Sequence, residues 1–197
     1  MVNPFESALK NRKNWEICLK KIIKEYWLLF VIASIVVILD QVSKALVRAI
    51  IPFGGWWMPL EWLAPYFRFV HWKNTGAAFG FFQNGGLIFT IMAVIVSIVI
   101  VIYYPQIHKE KKLMRVAMAM QLGGALGNLI DRLVFGTVTD FISVGNFAVF
   151  NIADANITVG VGLLIIALWL DERQENKEEL SLQNLTQNEI EGQDHQP

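Results

Sequence analysis

Three carboxylates stand at the ends of two apolar stretches, Asp131 and Asp140 in GGALGNLIDRLVFGTVTDF and Asp154 in FNIADANITVG. Burying a carboxylate beside a long hydrophobic run is costly, so such acids persist where they pair, line a wet cavity or handle protons. Their surroundings differ. Asn128, Asp131 and Arg132 fall within one helical turn, and an acid beside its own guanidinium stays ionised, which poorly suits a group that trades protons. On this reading Asp131 is a strut for Arg132, and Arg132 a clamp for a substrate. Asp140, between Thr139 and Phe141, and Asp154, after Ile152 and Ala153, have no adjacent base. If folding brings these two together in an apolar margin they cannot both ionise easily. One then keeps its proton, and the pair holds an acid and a base at once.

Such a pair can hydrolyse a peptide without metal, cofactor or covalent intermediate: the charged Asp takes a proton from water while the neutral one donates to the scissile carbonyl. No Ser–His or Cys–His arrangement competes with it, and His71, His108 and His195 make no metal-ligand spacing. Unpaired intramembrane acids also serve transporters, although the chain shows no internal repeat of the kind many transporters carry. Taken alone, the residues leave hydrolysis, proton-coupled transport and a structural role open. Two other polar residues read as structural: Lys44, one turn after Asp40, forms an i, i+4 acid-to-base pair, and His71 sits in an aromatic strand as hydrogen-bonded packing.

The elements that must position these groups are membrane spans. Of 197 residues 54% are hydrophobic and only 17% charged, with mean hydropathy +0.42. Four apolar runs meet the length of about 20 residues that crosses a hydrocarbon core: Trp27 to about Val47, Leu87 to Tyr104, about Leu113 to Val134, and about Phe147 to Leu170. Pro105 ends the second, and Gly123, Gly124, Ala125 and Gly127 give the third a small surface for close helix approach. The expected organisation is a basic arm over 1–25, a four-span domain over 26–170 with an outer loop over 48–86, and an acidic tail over 171–197.

Lysine and arginine concentrate in the arm and in the link between spans two and three, where Lys109, Lys111, Lys112 and Arg115 lie. The positive-inside rule then puts both termini in the cytoplasm. Asp40, Asp131, Asp140 and Asp154 thereby converge at the outer face. The arm lacks a small-residue cleavage site after a short apolar core, so it reads as an interfacial helix leading into span one rather than a cleaved signal. The tail, with eight acids and few apolar residues, reads as solvated and disordered. The outer loop carries Trp56, Trp57, Trp62, Tyr66 and Trp72 and many phenylalanines. That density suits headgroup depth, as an aromatic belt or as a platform for an amphiphilic ligand. Cys18 alone cannot form an internal disulfide, and no charge block suits nucleic acid.

Five ordered motifs between residues 40 and 160 carry a resemblance: Asp-Gln-Val-Ser-Lys (40–44), Asn-Thr-Gly-Ala-Ala-Phe-Gly (74–80), Gly-Gly-Ala-Leu-Gly-Asn-Leu-Ile-Asp-Arg (123–132), Val-Thr-Asp-Phe (138–141) and Phe-Asn-Ile-Ala-Asp (150–154). Together they resemble the bacterial lipoprotein signal peptidase family, signal peptidase II. The resemblance implies an all-α membrane fold, a four-helix bundle with a small extracytoplasmic β half-barrel and a short helix between spans one and two. It implies an aspartic endopeptidase of the bacterial plasma membrane that removes the signal peptide of a prolipoprotein just before its diacylglyceryl-modified cysteine, with membrane lipid as its other partner. By motif, Asp140 and Asp154 are the catalytic dyad. Asp40, Lys44, Asn74, Gly76, Asn128, Asp131, Arg132 and Asn151 match the supporting positions. One departure is visible, a linker of only 13 residues between Asp140 and Asp154.

Overall fold

No glycine or proline interrupts residues 5–51, and nothing there stops a helix until Pro52, which disfavours helix at the residue before it. In the computed structural model of the protein, which describes residues 4–76 and 85–193, this stretch is one helix, α1 (Pro4–Ile50). The basic arm and the first span are therefore continuous. Helix α2 (Gly86–Tyr103) passes into a 3-10 turn at Tyr104–Gln106, where Pro105 removes a backbone donor. Helix α3 (Lys112–Phe135) is closed by Gly136, left-handed at φ 73°, whose N–H bonds the Arg132 carbonyl. Helix α4 spans Ile152–Gln193.

Among the described residues four segments are long and apolar enough to cross a membrane: Ile22–Ile50, Gly86–Gln106, Lys112–Phe135 and Ile152–Ser181. The outward surfaces of α1 and α2 are apolar, with Ile35, Ile38, Leu39, Ile91 and Ile98 about half exposed or more, as helices facing lipid require. Helix α3 is the central one, 61% of its apolar window being buried in the protein against 6% for α2. Its glycines explain that position. A Cβ on Gly123 would stand 2.7 Å from the Val36 Cβ, and one on Gly124 would stand 2.5 Å from the Ala153 carbonyl. So α1 and α4 pack directly on the α3 backbone.

Two boundaries differ from the sequence expectation. Helix α4 begins at Ile152 rather than Phe147, because Gly145 turns the chain at φ 50° and Phe150 pairs back onto Ile142. At the other end the helix continues past Leu170 to Gln193, where a disordered tail was expected. The segment is rich in Glu, Gln and Leu, good helix formers without a proline among them, and its first acid, Asp171, pairs with Lys111 at 2.9 Å.

The sheet has three antiparallel strands in the order β1 (Trp56–Trp57), β2 (Phe67–Asn74) and β3 (Val138–Val144). The outer loop alone was expected to supply it. The third strand instead comes from between α3 and α4, and it carries Asp140. Most residues of β3 are buried, which erases the alternation that marks a half-exposed strand. Between β2 and β3 the register slips: Phe69 opposes Ile142 and Trp72 opposes Asp140, so two residues of β2 face one of β3. The short helix of the loop is a 3-10 turn at Glu61–Leu63. Around it Trp56, Trp57, Trp62, Tyr66 and Trp72 are each at least half exposed. His71 packs as expected, its Nδ1 sharing a hydrogen bond of 2.8 Å with the Ile51 carbonyl. Ala77 to Gly80 of the Asn74–Gly80 motif lie outside the described residues.

Candidate functional site

Helix α4 opens on a reciprocal cap. The Asp154 N–H donates to Asn151 Oδ1 at 2.9 Å, and the Asn151 N–H donates to Asp154 Oδ2 at 3.3 Å, so each side chain satisfies the other's backbone donor. One further donor of the first turn, the Ala153 N–H, bonds Asp40 Oδ1 at 2.9 Å. The start of α4 is thus fastened to the C-terminal third of α1. Gly127 makes the approach possible, since a Cβ there would stand 2.7 Å from Asp40 Oδ2.

From this anchor the asparagines build a bridge. Asn128 Nδ2 donates to Asp154 Oδ1 at 2.7 Å, and its Oδ1 accepts from Lys44 Nζ at 3.0 Å and from Asn151 Nδ2 at 3.2 Å. Asn151 Nδ2 also donates to Asp140 Oδ1 at 2.7 Å. The second oxygen of Asp140 accepts from Asn74 Nδ2 at 2.9 Å. Asn74 is itself oriented by the Gly76 N–H, which donates to its Oδ1 at 2.9 Å. All ten residues singled out in the sequence are therefore described, and nine of them form one connected polar network: Asp140, Asp154, Asp40, Lys44, Asn74, Gly76, Asn128, Asp131 and Asn151.

The four acids sort by partner. Asp40 and Asp131 are fully buried and bind cations: Lys44 Nζ lies 2.7 Å from Asp40 Oδ2 and 3.6 Å from Asp131 Oδ2. Arg48 Nη1 lies 3.6 Å from Asp131 Oδ1. Gln41 Nε2 joins both acids at 3.2 Å and bonds the Gly127 carbonyl at 2.9 Å. Asp140 and Asp154 accept only from amides and have no ion pair among the described residues. Burial, and then the charge of Asp154, push the Asp140 carboxyl up to about 7, against the opposing hydrogen bonds of Asn74 and Asn151 and the nearby Lys44 charge.

The expected Asp131–Arg132 strut does not form. Adjacent helical side chains point about 100° apart, so neighbours in sequence do not face each other. Asp131 turns inward to Lys44 and Arg48, whereas Arg132 lines a cavity of about 590 Å³ and stands over the Phe89 ring at 5.5 Å. That cavity lies between α2, α3 and α4. Asn74, Asn128 and Asp154 reach its wall together with Met92, Val96, Ile157 and Phe147 to Phe150 of the short linker. Sequence reasoning missed Arg48, Gln41 and Thr139. Arg48 had been counted with the outer loop, but Asp40, Lys44 and Arg48 recur every four residues, a row on one face of α1.

Asp154 on the wall of a lateral apolar cavity, and the buried Asp140 joined to it through Asn128 and Asn151, lie among helices long and apolar enough to cross a membrane, so the fold is that of a multi-pass membrane protein with a polar centre. Comparison with known proteins supplies the family. The family described as Signal peptidase (SPase) II matches residues 32–170. A lipoprotein signal peptidase of Alteromonas mediterranea is 40% identical over 167 residues, covering 80% of this chain and 90% of its own. One from Brevibacillus brevis is 37% identical over 147 residues, covering 74% and 97%. A solved bacterial membrane enzyme superposes with a TM-score of 0.68 at 34% identity, covering 73% of this chain and 88% of its own. The chain belongs to the signal peptidase II family, and it is a membrane peptidase that cleaves the signal peptides of prolipoproteins.

Proposed function

We propose that the reaction is aspartic proteolysis by Asp140 and Asp154, acting on the bond just before a diacylglyceryl-modified cysteine. The observation that supports the proposal is that these two acids are joined through Asn128 and Asn151 and have no ion pair among the described residues, while Asp40 and Asp131 are ion-paired. The ionised member takes a proton from water, and the resulting hydroxide adds to the scissile carbonyl carbon. The protonated member gives its proton to the carbonyl oxygen. Return of a proton to the amide nitrogen then lets the C–N bond break, releasing an amine and an acid. Burial strengthens both steps by removing competing water.

The supporting residues follow from their contacts. Asn74 and Asn151 hold the two oxygens of Asp140, Asn128 holds Asp154, and Gly76 aims Asn74. Asp40, Lys44 and Asp131 form the charged base on which the start of α4 rests. Arg132, free of Asp131, faces the cavity as a substrate clamp. The cavity between α2, α3 and α4 admits a signal-peptide helix and acyl chains sideways from lipid, and the exposed tryptophans rest at headgroup depth. In this orientation both termini are cytoplasmic and the dyad is at the outer face of the bacterial plasma membrane.

Purified protein incubated with a diacylated prolipoprotein tests the assignment. We expect wild type to release the signal peptide and Asp140→Asn and Asp154→Asn to lose activity by at least about 10²-fold, the scale of general acid–base catalysis. Normal turnover by a well-folded Asp140→Asn would overturn it.

A further inference from the structure

The turn from α3 into β3 is gripped at both ends by one side chain. Arg48, in the last turn of α1, donates from Nη1 to Thr139 Oγ1 at 2.9 Å. It also stacks its guanidinium over the Phe135 ring at 4.4 Å, and it lies 3.6 Å from Asp131 Oδ1. The other oxygen of Asp131 accepts the Thr139 N–H at 2.8 Å. Thr139 is therefore held by side chain and backbone, from α1 and α3 respectively.

Thr139 immediately precedes Asp140 on β3. Successive strand side chains point to opposite faces, so fastening Thr139 to the α1–α3 layer turns Asp140 the other way, toward Asn74 and Asn151. The grip falls where the sheet needs it. The register between β2 and β3 slips just beyond Asp140, and a one-residue shift in pairing would send the carboxylate to the wrong face.

We propose that Arg48, acting through Thr139 and together with Asp131, is a positioning residue for Asp140. The proposal rests on Asp140 being catalytic. Arg48 touches neither Asp140 nor the cavity; it sets the direction in which β3 presents the acid. Loss of the grip lets the carboxylate drift from its two amides, slows the chemical step and leaves substrate binding intact.

Kinetics on the purified full chain with a diacylated prolipoprotein test this, using Arg48→Gln, Arg48→Lys, Thr139→Val, the Arg48→Gln/Thr139→Val double variant, and Asp140→Asn as control. We expect Arg48→Gln to lower kcat about tenfold or more, since displacement of a reacting group by about 1 Å can cost 10²-fold, with KM within about twofold of wild type. Thr139→Val should lower kcat in the same sense, the double variant should be no slower than Arg48→Gln alone, and Arg48→Lys should recover part of the loss. The upper limb of the pH profile of kcat/KM should move in Arg48→Gln, which a purely structural brace would leave in place. Wild-type kcat and pH limb in folded Arg48→Gln, or losses that multiply in the double variant, would overturn the proposal. If Arg48→Gln does not fold, Thr139→Val decides alone, and a wild-type kcat for it would be a refutation. An inactive Asp140→Asn beside an unimpaired Arg48→Gln removes only the positioning role, whereas an active Asp140→Asn removes the dyad itself and this proposal with it.

Discussion

What separates Asp140 and Asp154 from Asp40 and Asp131 is the charge of their neighbours. All four are at least largely buried, yet among the described residues only Asp40 and Asp131 have an ion pair, and the proposed dyad rests on that difference. For Asp140 the consequence is measurable in stability. Its carboxyl is raised from 3.8 to about 7 in the folded protein, so the native state binds the proton more tightly than the unfolded chain does. The associated stability is fully present below about pH 4 and is lost as pH rises through about 7. We expect the melting temperature to fall between pH 4 and 8 with a component that disappears in Asp140→Asn; identical pH slopes in the two proteins would contradict the burial of this acid. The cation side behaves oppositely. Lys44→Met leaves Asp40 and Asp131 buried without their shared ammonium, a loss of about 3–5 kcal/mol. Its melting temperature should drop steeply, and a wild-type value would show that the two acids are not held by Lys44.

At the scale of elements, the site depends on how closely α1 and α4 approach α3 and on how β3 leaves it. Gly124→Ala would drive a Cβ to 2.5 Å from the Ala153 carbonyl, and that backbone cannot yield without moving Asp154 at the next position. We expect this variant to be more damaging to activity than Ala125→Gly on the same helix, with prolipoprotein cleavage as the measure; equal activity would mean that α4 can retreat without cost. Much of this scaffold was legible. The long apolar runs located the spans, the glycine cluster marked the contact helix, and the four-residue spacing of Asp40 and Lys44 gave their pairing. Strand β3 was not legible: it falls between the third and fourth apolar runs, and with most of its residues buried it lacks the alternation that marks a half-exposed strand. The false pairing of Asp131 with Arg132 had a similar origin. Proximity in sequence was taken for proximity in space, while the true partners, Lys44 and Arg48, lie 87 and 83 residues upstream on another helix. Asn151 had a recognisable local signal, the Asn-x-x-Asp capping box; its second task, bridging Asp140 to Asn128, needed the tertiary fold.

On the proposed function, the whole molecule brings its chemistry to lipid and water at one depth. Apolar helix faces surround a polar network, and the cavity lies between α2, α3 and α4. Among the described residues no three His, Cys, Asp or Glu side chains are grouped to hold a metal ion, and the oxygens of Asp140 and Asp154 are committed to amide donors. We therefore expect prolipoprotein cleavage to survive prolonged EDTA treatment; loss of activity restored by zinc alone would require a different mechanism. The most direct test of the shared-proton dyad is the pH dependence of kcat/KM from pH 4 to 10 in detergent, with folding monitored at each point. We expect a bell whose two apparent pKa values belong to the pair, with the upper limb falling from about pH 7 as the proton held at Asp140 is lost. Activity that stays flat to pH 10 in folded protein would contradict it.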